Sequence, residues 1–135
     1  MLVLKKGWNK AIDQISTFAR NQELERLPVL FTELGYIYRA NATVEPWTGY
    51  GYSIIDSGGN EKLILWEEQK YFPKERTLAV QALRQVYQER QFNLAGILYW
   101  NLTTTPEYLK EEPFALHIAE EPTDELQEAL LEFLK

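Results

Sequence analysis

The stretch Leu27-Pro28-Val29-Leu30-Phe31-Thr32-Glu33-Leu34-Gly35-Tyr36 constrains the chain most. Val29, Leu30 and Phe31 make a β-branched and aromatic run after a proline, which suits a strand covered on both faces better than a helical turn. Glu33 falls at the strand's C-terminal end. In α/β architectures the carboxyl ends of parallel strands collect ligands and catalytic groups, because the following loops can surround a substrate there. Gly35 lets the chain turn sharply straight after the carboxylate. The plain alternative is that Glu33 marks the solvated end of a strand.

The rest of the chain supplies units to pack against this strand. Trp8, Ala11, Ile12, Ile15, Phe18 and Ala19 recur at spacings of three and four, which predicts a helix from about Gly7 to Asn21. Pro73 opens a second helix, with Leu78, Ala79, Ala82, Leu83, Val86 and Tyr87 on its apolar face to about Arg90. Leu94 to Trp100 reads as a second buried strand, with Trp100 and Asn101 in the place that Glu33 holds on the first. A parallel, right-handed connection between the two would bring both ends to one rim. Between these units, Tyr52–Ile55 and Lys62–Trp66 flank a Gly-rich turn and read as a small β-hairpin. A long irregular stretch, residues 37–52, follows the carboxylate directly and contains Glu45-Pro46-Trp47. The tail from Thr103 to Glu121 is polar and is expected to fold back on the rim as a loop. Thr123 or Asp124 caps a final helix carrying Leu126, Ala129, Leu130, Phe133 and Leu134.

Composition narrows the chemistry. The chain has 135 residues, 45% apolar and 25% charged, which fits one soluble globular domain. A net charge of −6 without clustered Lys or Arg speaks against a nucleic-acid surface. No apolar run is long enough to span a bilayer, and Met1–Leu4 is too short for a signal-peptide core, so a cytoplasmic chain is expected. Zero cysteines and a single histidine, His117, exclude thiolate chemistry and make a Ser/His/Asp system or a multi-histidine metal site poor fits. Carboxylates and aromatic rings are plentiful. Four Trp and eight Tyr suit a sugar cleft, although aromatic rings are more often core.

The segments Pro28 to Tyr36, Glu45-Pro46-Trp47 and Leu94-Ala95-Gly96-Ile97-Leu98-Tyr99-Trp100 together resemble the C-terminal part of glycoside hydrolase family 113, β-mannanase-like (β/α)8 barrels of retaining glycosidases. The resemblance runs from Trp8 to about Trp100, and Phe-Thr-Glu-Leu-Gly-Tyr is its most specific motif. It implies an α/β fragment of a TIM barrel, from about helix six to helix eight, with a small β-hairpin insertion. All of residues 1–135 would form this single incomplete segment. The resemblance makes Glu33 the catalytic nucleophile at the end of strand seven and Trp100 a sugar-lining residue at the end of strand eight. Tyr36, Trp47 and Glu45 become candidate substrate contacts, Tyr36 and Trp47 being equally readable as packing residues. The chemistry implied needs no cofactor or metal, only a carbohydrate substrate.

The family's acid/base glutamate belongs on strand four, and strands one to six have no counterpart here. Such a barrel needs about 250 residues. The expectation is therefore a fragment, from a truncated or split gene or a misassigned start, or a piece that needs a complementary chain. Its exposed strand edges would favour that association or self-association. Val29, Phe31, Ile97 and Tyr99 are expected on the barrel's inward face, the isolated chain is expected to be inactive, and a carbohydrate-binding remnant or a barrel-completing module are the alternatives. Glu45, Asp56, Glu107, Glu111 and Glu112 could replace the missing acid, but most surface carboxylates do no chemistry.

Overall fold

The computed structural model describes residues 1–44, 72–110, 112–121 and 124–134, and the backbone of two strands at 52–56 and 62–66. Helix α1, Leu2–Asn21, is longer than the periodicity predicts, because Leu2 to Lys6 extend it at the N-terminal end, with Leu2 and Val3 exposed. Strand β1, Val29–Leu34, follows. Strands β2, Tyr52–Asp56, and β3, Lys62–Trp66, pair with each other antiparallel as a hairpin. Helix α2, Lys74–Arg90, starts directly after Pro73, whose fixed φ suits a helix entry. Strand β4, Leu94–Tyr99, lies parallel to β1.

The tail is more ordered than a loop. Strand β5, Leu102–Thr103, pairs in parallel with β6, Leu116–His117, across a 3-10 turn at Pro106–Lys110. Helix α3, Glu125–Leu131, is capped by Asp124, whose side chain accepts from the Leu126 N–H. These strands form three two-stranded sheets, and no barrel closes among the described residues.

The helices lie against one face of the β1–β4 pair. Leu34, Val80, Leu83, Leu116, Leu126 and Ala129 make the buried cluster, with Trp8, Phe31, Ile97 and Tyr99 packed on it. The Trp8 ring meets Phe31 edge-on at 5.9 Å and its indole N–H donates to the Ala79 carbonyl at 2.9 Å, so one tryptophan joins α1, α2 and β1. Phe31, Ile97 and Tyr99 therefore face the helices and not a barrel interior, which reverses the sequence expectation. The opposite face carries Leu30, Thr32, Gly96 and Leu98. Leu30 is 49% and Leu98 57% exposed, so this face is open among the described residues.

One buried ion pair ties α2 to α3. Arg76, fully buried, pairs with the Asp124 carboxylate, donates to the Ala115 carbonyl at 3.0 Å and sits 5.9 Å over the Tyr38 ring. Burial of two charges demands such pairing, because an isolated charge in the interior costs several kcal/mol.

Candidate active site

The site is built by an irregularity in β1. Phe31 pairs with Ile97 and Leu34 with Tyr99, so β1 has one residue more than β4 over this interval. Strict alternation would turn Glu33 toward the helices, beside Phe31, and Leu34 away from them. The bulge undoes this: Thr32 and Glu33 are both exposed while Leu34 is 7% exposed in the core. Bulges of this kind re-aim a side chain. Here the bulge frees a carboxylate at the C-terminal rim without burying it among apolar groups.

Trp100 stands at the same rim. It directly follows β4, is 53% exposed, and its N–H donates to the Leu34 carbonyl at 2.9 Å. The Trp100–Asn101 peptide is cis. Gly35 fits here because of crowding: a Cβ at this position would lie 2.5 Å from the Trp100 carbonyl oxygen and 3.3 Å from the Phe114 ring. Close approach of another backbone, rather than a sharp turn alone, is thus what calls for glycine at position 35.

The tail packs on this rim as expected. The Leu116 N–H donates to the Asn101 carbonyl at 2.8 Å, the Tyr38 N–H to the Pro113 carbonyl at 3.0 Å, and the Tyr38 hydroxyl to the Leu109 carbonyl at 2.8 Å. Tyr36, a candidate substrate contact in the sequence, rests its ring on the core cluster. Burial, with a smaller contribution from Tyr99, pushes its phenol up to about 12. Glu33 itself has no hydrogen bond or ion pair to another side chain among the described residues.

Glu45 and Trp47 lie outside the described residues, as do Glu111 and the side chain of Asp56. Glu112 accepts from the Phe114 N–H at 3.1 Å, which gives it a structural task in the tail, and Glu107 is exposed on the 3-10 turn. Among the described residues there is no group of three or more His, Cys, Asp or Glu placed to hold a metal ion, and no helix long and apolar enough to cross a membrane.

Two features escaped sequence reasoning. The Tyr99 hydroxyl, inside an otherwise aliphatic strand, contacts both main-chain polar groups of Tyr36; a buried tyrosine usually finds a partner, and that was the available signal. An apolar groove of about 430 Å³ runs between β4 and α3, lined by Leu98, Leu102, Ile118, Leu130 and Leu131 among others. A second hollow, of about 520 Å³, lies at the opposite end of β4 beside Tyr87, Phe92 and Asn93, away from Glu33 and Trp100. Comparisons with protein-family models, with curated proteins and with solved structures return no match.

Proposed function

We propose that the chain carries the nucleophile, Glu33, and one sugar platform, Trp100, of a retaining glycoside hydrolase acting on β-mannan or a related β-linked glycan. The observation that carries this reading is the bulge that presents Glu33 on the open face of the sheet, at the same rim as the half-exposed Trp100. The resemblance of the two strand ends to family 113 supports the same assignment.

In the reaction a Glu33 carboxylate oxygen attacks the anomeric carbon and the glycosidic C–O bond breaks. A second carboxylic acid gives its proton to the leaving oxygen, then takes a proton from the water that releases the sugar. The two carboxyl groups must stand about 5–5.5 Å apart. That acid comes from further strands in this reading. The open face supports their presence, since parallel sheets are found with both faces covered, and Leu30 and Leu98 are about half exposed among the described residues.

The test uses an activated 2-deoxy-2-fluoro-β-mannoside, whose leaving group departs without a proton, in large excess over the chain. The expected result is a covalent adduct mapped to Glu33 by peptide mass spectrometry, absent from Glu33→Gln, with negligible turnover of natural β-mannan. An adduct on another carboxylate, or no adduct at all, overturns the nucleophile assignment. The second reading, a non-catalytic carbohydrate-binding piece, rests on the exposed Trp100 ring; it keeps sugar binding in Glu33→Gln and loses it in Trp100→Ala.

A further inference from the structure

Among the described residues no side-chain partner holds Glu33, and the main chain on either side of it sets its direction. Upstream, the pairing of Phe31 with Ile97 fixes the start of the bulge. Downstream, the Trp100 N–H holds the Leu34 carbonyl at 2.9 Å, and the Trp100 carbonyl closes the space beside Gly35. The next residue is held by a side chain. The Tyr99 hydroxyl accepts from the Tyr36 N–H at 3.4 Å and donates to the Tyr36 carbonyl at 3.3 Å. One oxygen that takes both polar groups of a residue fixes the peptides flanking it, much as a neighbouring strand would.

Tyr99 is itself held from below. Its ring packs on the core cluster, and the Arg76 guanidinium beside it is fixed by Asp124 and the Ala115 carbonyl. Burial raises the Tyr99 phenol above its ordinary value, with Arg76 opposing, so the hydroxyl keeps the proton it donates.

We propose that Tyr99 is a positioning residue for Glu33: its hydroxyl locks the Gly35–Tyr36 segment so that the carboxylate is presented at the rim in one orientation. The catalytic consequence rests on the function proposed above, while the locking itself does not. Tyr99→Phe keeps the ring and removes only the oxygen. Its expected effects are about tenfold faster hydrogen exchange at the Tyr36 amide, measured against the Phe31 and Ile97 amides, and about tenfold slower covalent labelling of Glu33 at saturating fluoro-mannoside. The half-saturating concentration should not change. Ile97→Val, on the same face of the same strand, trims packing without touching the hydroxyl and should produce neither effect.

Tyr36 exchange that stays at the wild-type rate in Tyr99→Phe, or that rises equally in Ile97→Val, overturns the proposal. So does an unchanged labelling rate beside accelerated exchange, because the lock would then not govern the carboxylate. Failure of the wild-type chain to label at all refutes the glycosidase reading instead. The lock on the segment is then decided by the exchange of the Glu33 and Tyr36 amides alone.

Discussion

Replacing Asp124 by asparagine should be among the most damaging single substitutions in the chain. The asparagine oxygen can still accept from the Leu126 N–H, held at 2.9 Å in the native structure, so the cap of α3 survives and only the charge is lost. Arg76 then keeps the Ala115 carbonyl at 3.0 Å and the face of Tyr38, and its buried Nε has no hydrogen-bond partner among the described residues. Stranding a buried charge in this way costs about 3–5 kcal/mol, a large share of the about 5–15 kcal/mol that holds a domain together. With a urea m-value of about 2 kcal/mol/M, the midpoint should fall by about 2 M. Asp124→Ala should lose about 1 kcal/mol more, the cap's own contribution. Arg76→Met combined with Asp124→Asn should be less damaging than the sum of the two, since no charge is left stranded. Urea unfolding followed by tryptophan fluorescence measures the wild type, both Asp124 variants, Arg76→Met and the double variant. A cost below about 1 kcal/mol for Asp124→Asn, or one that vanishes in high salt, would show a solvated pair of the surface kind and refute the reasoning.

Two glycines should respond with opposite sign. Gly35→Ala sets a methyl group 2.5 Å from the Trp100 carbonyl oxygen, a backbone atom that cannot swing aside, and should cost about 1–3 kcal/mol while shifting the Trp100 emission; Gly7→Ala, inside α1 with nothing within 4 Å, should stabilise by about 0.5–1 kcal/mol in thermal unfolding. At high pH the folded Tyr36 phenol, raised to about 12, holds its proton after the unfolded phenol has lost its own near 10. Its stabilisation is thus complete below pH 10 and disappears between pH 10 and 12, by up to about 2–3 kcal/mol; tyrosinate absorbance should show late-titrating tyrosines, Tyr36 with Tyr99 and Tyr38, that become ordinary in urea.

Much of the framework was legible in the sequence because local rules govern it. The three-and-four spacing in α1, Pro73 before α2, the cap at Asp124 and the apolar runs of β1 and β4 are each decided within a few residues. The faces were not legible, because alternation fixes which residues share a face but not which face the helices cover. A single extra residue between Phe31 and Leu34 then takes Glu33 off the face of Phe31, and nothing in Phe-Thr-Glu-Leu marks where the partner strand gives way. Gly35 was read as a turn because sequence shows a missing side chain but not the Trp100 carbonyl that needs the room. Asp124 reads in the sequence as a helix cap, and nothing there pairs it with Arg76. Their burial arises only when α2 and α3 meet, 48 residues apart in the chain. Glu45 and Trp47, singled out with the strand ends, fall outside the described residues.

The distance along the chain between β1 and β4 also bears on how the protein is made. Residues 35–93 lie between the two strands. At ribosomal rates of about 5–20 residues per second, β1 waits about 3–12 s before its only described partner strand is synthesised. Its two faces spend that time differently. Phe31 already has company, because Trp8, which meets it at 5.9 Å, emerges earlier in the same short segment. Leu30, on the opposite face, is 49% exposed even in the folded chain, so the side that also carries Glu33 is the one more open to misassociation meanwhile.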